Sequence, residues 1–232
     1  MQPIQIQPIG IIHSCFKEKF ATPRQPGLVP AATAQVEMLA PYNVADAFEG
    51  LADFSHIWLS FAFHQTAQQG WKPKVRPPRL GGNAKLGVFA TRSTFRPNPL
   101  GLSLVKLEAI DTSNGVILHV SGADLIDQTP ILDIKPYLPW VESIADAKSG
   151  FASENQTLQL PIQYSPQAQQ ALSQRPELAQ LIVQVLQQDP RPAYQQDPQR
   201  IYGCRLDNIN LRWQVGATSI DVVEITQVNQ AT

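Results

Sequence analysis

Short stretches in which every second residue is apolar, cut apart by proline and glycine, recur through the first two-thirds of the chain. They constrain the fold more than any other feature of it. Ile4–Ile12, Ala34–Leu39, His56–Phe63, Leu86–Thr91, Gly101–Ala109 and Val116–Val120 all fit strands. Only Val44–Leu51 ("VADAFEGL") has helical spacing in this region. Many short strands with glycine and proline turns and few helices predict a barrel or a sandwich.

The texture becomes small and polar around Ala145–Ser153, which marks a linker. Beyond it the pattern predicts a strand at Thr157–Tyr164, then a glutamine-rich helical stretch capped by Ser165, broken at Pro176 and ending near Gln188. Three further strands follow near Ile201–Leu206, Ile209–Gln214 and Ser219–Thr226. The expected organisation is mainly β: a small N-terminal β-barrel over residues 1–146 and a smaller C-terminal α+β domain over residues 152–232.

Charge narrows the choice of partner. The net charge is −1, yet Trp71–Leu107 holds no Asp or Glu and 8 of the 18 basic residues: Lys72, Lys74, Arg76, Arg79, Lys85, Arg92, Arg96 and Lys106. A local basic run of this kind attracts polyanions whatever the total charge. The chain has no apolar run of membrane-spanning length and no basic, signal-like N-terminus, so a cytoplasmic setting is expected. Cys15 and Cys204 are then expected as reduced thiols.

Several familiar motifs are missing. There is no G-x-G-x-x-G after a strand, no phosphate-binding lysine loop and no G-x-S-x-G turn. The four histidines are scattered, which disfavours a zinc site. Four blocks remain. "RSTFRPNPLGLSLVKL" (Arg92–Leu107) couples a stiff cationic turn to a strand with Leu100, Leu102 and Leu104 on one face and Gly101, Ser103 and Val105 on the other. "PRQPGL" (Pro23–Leu28) is a rigid loop carrying a guanidinium and an amide. "FHQT" (Phe63–Thr66) sets His64 and Gln65 at a strand end. "GADLIDQTPILDIKPYLPW" (Gly122–Trp140) carries Asp124, Asp127 and Asp133, then Lys135 and Tyr137. The three carboxylates keep a metal-dependent hydrolase open as a rival reading.

Together the four blocks resemble the TsaA-like (TrmO) family of tRNA adenine N6-methyltransferases, over roughly residues 4 to 145. "DPRPAY" and "DNINLRW" resemble the C-terminal region of its bacterial members. The resemblance implies a homodimer that binds S-adenosyl-L-methionine in a barrel rather than on a Rossmann sheet. It also implies a substrate: N6-threonylcarbamoyladenosine beside the anticodon of threonine tRNA, at position 37. Carried over by position, Arg24, Gln25, Pro26, His64, Gln65, Arg92, Leu102, Asp124, Leu125, Ile126 and Asp127 are expected to line the cofactor site.

Residue chemistry supplies the remaining expectations. Asp133 is the candidate base for the weakly nucleophilic N6, with Tyr137 second and Lys135 beside it. Lys135 and Arg96 suit the threonyl carboxylate; Arg96, Arg191 and Arg205 suit phosphates. Tyr137, Trp140, Tyr194 and Trp213 are the candidate stacking platforms, with Trp213 better placed as core. The alternative function is a non-catalytic regulatory module that binds S-adenosylmethionine or RNA.

Overall fold

The computed structural model of the chain describes residues 2–80, 84–152, 157–192, 195 and 197–228. Along the chain, β1 (Gly10–Ser14), β2 (Thr33–Met38) and β3 (His56–Ala62) precede a two-residue hairpin, β4 (Lys74–Val75) with β5 (Leu86–Gly87). Then come β6 (Leu100–Asp111), β7 (Ile117–Ser121), β8 (Thr129–Pro136) and the short α1 (Pro139–Glu142). Six of these strands close a barrel in the order β1-β2-β7-β6-β3-β8, antiparallel throughout. Closure leaves no free strand edge, and alternate residues fill the interior. Ile12, Val36, Ile57, Leu59, Leu118 and Ile131 are fully buried there.

The second unit comprises β9 (Ile162–Tyr164), α2 (Pro166–Gln174), α3 (Glu177–Gln187), β10 (Tyr202–Leu206), β11 (Ile209–Val215) and β12 (Ile220–Gln227). Its sheet runs β10-β11-β12-β9, with β9 parallel to β12. The Ser165 hydroxyl caps α2 by accepting from the Ala168 N–H at 3.1 Å, as the sequence pattern predicts. Leu178, Leu181, Ile182, Val185 and Leu186 of α3 pack with Leu211, Trp213 and Val222 of the sheet. Trp213 is therefore core, stacked between Phe20 and Tyr202.

The two cores do not divide the chain at one point. Cys15, Phe16, Ala21, Val29 and Ala32, all between β1 and β2 or at their rim, belong to the second core. Phe16 bridges to Leu206, and the Asp207 N–H donates to the Cys15 carbonyl at 2.6 Å. Both cysteines are free and buried, and burial pushes each thiol up to about 12.

Several expected elements take other forms. Val44–Leu51 is not an α-helix: two 3₁₀ turns, Ala45–Phe48 and Leu51–Asp53, flank Gly50, whose φ of 79° breaks the helical path. The strand expected at Ile4–Ile12 starts only at Gly10; Ile4 and Ile6 are exposed, and Pro8 interrupts the run. Leu86–Thr91 keeps two strand residues before turning at Val88–Ala90. Thr157–Tyr164 keeps three, Ile162–Tyr164. Thr129–Pro136 is a full barrel strand, where the sequence pattern marks only a run of site residues. Strand β6 also faces opposite to its leucines: Leu100 and Leu102 are exposed, while Ser103 and Val105 are buried. The Phe61 ring lies over Gly101, where an added Cβ would collide with it.

Candidate functional site

Two glycine turns bring the site together. The Gly27 N–H donates to the Gly122 carbonyl at 2.8 Å, and both residues have positive φ, +76° and +73°. A Cβ on Gly122 would lie 3.3 Å from the Gly27 Cα, so this approach of the Pro23–Leu28 loop to the segment after β7 favours glycine on conformation and space alike. Gln25 is thereby held beside the Asp124 segment. Arg92, at the start of the cationic turn, donates from Nη1 to Gln25 Oε1. The Ser103 hydroxyl, on the inward face of β6 and fully buried, donates to Asp124 Oδ1.

Asp124 is only partly accessible, between the buried Ala123 and Leu125. Burial pushes its carboxyl from 3.8 up to about 6, against the Ser103 hydrogen bond, its own backbone bond and the charge of Arg92. Gln25–Arg92 and Ser103–Asp124 are thus two hydrogen-bonded pairs, and the charge of Arg92 acts on Asp124 between them. Three of the four are expected from the sequence. Ser103 is not among the expected residues, although a serine among inward-facing Gly101 and Val105 is a legible signal of a polar contact inside the barrel.

The other expected cofactor residues are placed differently. Asp127 serves as scaffold: it accepts from the Ser14 N–H at 2.9 Å, pairs with Lys17 at 2.9 Å, and its own N–H donates to the Phe16 carbonyl at 2.7 Å. The Leu125 carbonyl accepts from the Ser14 hydroxyl at 2.7 Å, and the Ile126 carbonyl accepts from the Thr129 hydroxyl and N–H. Arg24 donates to the Asp189 carbonyl at 3.4 Å and lines a cleft with Leu28, Val185 and Gln188, on the side of α3. Pro26 stiffens the same loop. His64 is half-buried just past β3, and that burial lowers its pKa, favouring neutral imidazole. Its neighbour Gln65 is exposed, and neither belongs to the bonded set around Arg92. Leu102 lies exposed on the outer barrel wall.

The expected catalytic residues form a second patch. Asp133 and Lys135 are ion-paired with each other on the outer face of β8, opposite Ser60 and Trp58 of β3. Tyr137 follows them, its ring edge-on to Trp58 at 6.0 Å and its N–H donating to the His56 carbonyl at 3.0 Å. Trp58 in turn donates to Glu142 of α1 at 2.8 Å, and Trp140 is 82% exposed.

Among the residues expected to meet tRNA, Arg96 braces its own turn, donating to the Thr91 carbonyl at 2.7 Å and the Val88 carbonyl at 3.3 Å. Arg191 forks onto Asp189 at 2.7 and 3.0 Å, which leaves its charge locally compensated. Arg205 is exposed on the outer face of the C-terminal sheet, opposite Asn210. Tyr194 lies outside the described residues. The three carboxylates do not converge: Asp124 meets Ser103, Asp127 meets Ser14 and Lys17, and Asp133 meets Lys135. Among the described residues no group of His, Cys, Asp and Glu side chains is arranged to hold a metal ion, and no helix is long and apolar enough to cross a membrane.

A closed six-stranded barrel is not a Rossmann sheet, and the amide, guanidinium and carboxylate near one another at its loops suit a small ligand of mixed charge. Comparison with known proteins makes that reading specific. The tRNA-methyltransferase O N-terminal domain matches residues 11–143 and the TrmO C-terminal domain matches residues 157–228, so the chain belongs to the tRNA-methyltransferase O family.

A tRNA (adenine(37)-N6)-methyltransferase of Escherichia coli K12 is 48% identical over 229 residues, covering 96% of this chain and 97% of that protein. The human protein of the same name is 42% identical over 151 residues, covering 64% of this chain and 33% of its own length. The crystal structure of TrmO from Pseudomonas aeruginosa superposes with a TM-score of 0.80 at 39% identity, covering 97% of this chain and 99% of that one.

Proposed function

We propose that this chain transfers a methyl group from S-adenosyl-L-methionine to N6 of adenosine 37 of tRNA, acting on the N6-threonylcarbamoylated base of threonine tRNA, as a homodimer in the cytoplasm. The observation that carries the reading is the Arg92–Gln25 hydrogen bond set within electrostatic reach of the partly accessible Asp124 carboxyl, three residues from segments distant in sequence.

These residues fit the donor. It presents a carboxylate, an ammonium, a sulfonium, a ribose diol and an adenine. Arg92 suits the carboxylate, held in aim by Gln25. Asp124, its Oδ1 fixed by Ser103, suits the ammonium or the ribose diol. The carbonyls of Leu125 and Ile126 are already engaged, so their N–H groups are the main-chain readers of an adenine edge. When bound, the donor supplies an electrophilic methyl on its sulfonium.

The protein's own part is positioning and proton removal. The donor would supply the methyl and keep the bonding electron pair on sulfur as a neutral thioether, and Asp133 is the residue that would accept the proton N6 gives up when the substrate spans both patches. Lys135 holds Asp133 in place and suits the threonyl carboxylate, and Tyr137 flanks them. Exposed Leu100 and Leu102 on the barrel wall, and exposed Trp140 and Ile144 after β8, are apolar area that supports the homodimer.

Mass spectrometry of threonine tRNA after incubation with labelled donor tests the reading. One added methyl on the threonylcarbamoylated adenosine, with S-adenosylhomocysteine released, is expected; binding of donor and RNA without that release would leave only a binding module.

A further inference from the structure

The acid-free segment forms a distinct arm. Two main-chain contacts fold it on itself: the Lys72 N–H donates to the Phe95 carbonyl at 3.1 Å and the Val88 N–H to the Pro73 carbonyl at 3.0 Å. The β4–β5 hairpin extends beyond the second contact. The turn at Val88–Ala90 buries Val88 at 1% exposure and offers the next residue, Phe89, to solvent at 75%. Arg96 fastens that turn through two carbonyls and sets its guanidinium 5.7 Å from the centre of the Phe89 ring. Trp71 is 56% exposed, next to Lys72, whose ammonium lies 4.0 Å from the centre of the Phe95 ring.

Two large aromatics are thus held out into water by a braced scaffold, against the tendency of apolar side chains to bury. Around them Lys72, Lys74, Arg76 and Lys85 are all exposed, with no acidic residue in the segment to offset them. Exposed aromatics interleaved with uncompensated cations are what single-stranded nucleic acid needs: faces for bases and charge for phosphates. Prolines at 73, 77, 78, 97 and 99 stiffen the arm, so little ordering entropy opposes binding. Phe89 also stands three residues from Arg92, so RNA gripped here lies beside the candidate donor site.

We propose that this arm is a single-stranded RNA clamp in which Trp71 and Phe89 stack on splayed bases while Lys72, Lys74, Arg76 and Lys85 hold the flanking phosphates. The proposal rests on the tRNA reading above and extends it to residues that neither the donor site nor the Asp133 patch uses. A second copy of this chain fits the surface less well, because a net charge of −1 gives no comparable complement to a basic arm.

The test is equilibrium binding of threonine tRNA to the full chain across a salt series, with tRNA methylation by the wild type as reference. F89A and W71A are expected to weaken binding roughly 5- to 150-fold without changing the salt slope, and F89W to retain it. The K72Q/K74Q variant is expected to weaken binding and flatten the slope by about one for each phosphate left without its lysine. Unfolding midpoints and donor affinity should match the wild type in all four. The clamp is refuted if the wild type methylates tRNA while F89A and W71A bind it equally well. It is refuted too if those variants change only the oligomeric state by light scattering, which would assign the surface to a second copy. A wild type that neither binds nor methylates tRNA would remove the substrate reading and the clamp together.

Discussion

Asp124 carries the sharpest quantitative consequence. Its carboxyl titrates near 6 in the folded chain against 3.8 for a free side chain, because burial disfavours the charged form more than Ser103 and Arg92 favour it. A folded-state value above the unfolded one means that the contribution of Asp124 to stability is fully present below about pH 4 and is lost as pH rises through 6. At neutral pH the buried charge costs at most about 3 kcal/mol, less whatever residual solvent access screens. Asp124→Asn removes the charge and keeps an Oδ1 that can accept from Ser103. The variant should therefore match the wild type near about pH 4 and exceed it by up to about 3 kcal/mol near pH 7.5, in urea unfolding without donor. Donor affinity should move the other way. A cationic ligand favours the carboxylate, so wild-type affinity falls as pH drops below about 6, whereas Asp124→Asn binds weakly with little pH dependence. If the stability gap fails to widen between about pH 5 and pH 7.5, Asp124 is not held by burial and the argument for its role fails.

Three other substitutions probe separate links. Gly101→Ala drives a methyl into the Phe61 ring and should cost about 1–3 kcal/mol in urea unfolding, with Phe61→Leu recovering part of it. Asp127→Ala strands the Ser14 N–H and takes from Lys17 its carboxylate partner; a loss of about 1–3 kcal/mol in thermal unfolding is expected, larger than any loss of donor binding free energy by calorimetry. Asp133→Asn should lower kcat by roughly 10²- to 10⁴-fold with donor affinity unchanged, and full turnover would show that Asp133 is not the base.

Local pattern was enough for the existence of most strands, the two-part α+β tail and its helix break at Pro176, because side-chain periodicity and backbone restrictions act within a few residues. The blocks carrying Gln25, Arg92 and Asp124 were legible for the same reason: a short run of charge, amide and proline is visible without neighbours. What the alternation in β6 could not say is which face is inside. The leucines look like core, yet the interior of a six-stranded barrel is narrow. Phe61 already fills the space over Gly101, so the small residues turn inward and Leu100 and Leu102 go out. Nor could spacing reveal that Asp127 bonds Ser14 across the chain, that Phe16 joins the second core, or that Phe89 is held in solvent by Arg96. Periodicity is a property of one segment, whereas facing, pairing and exposure are set when distant segments compete for the same volume and the same hydrogen bonds. Sequence chose the strands and the candidate side chains; closure of the barrel decided which of them meet.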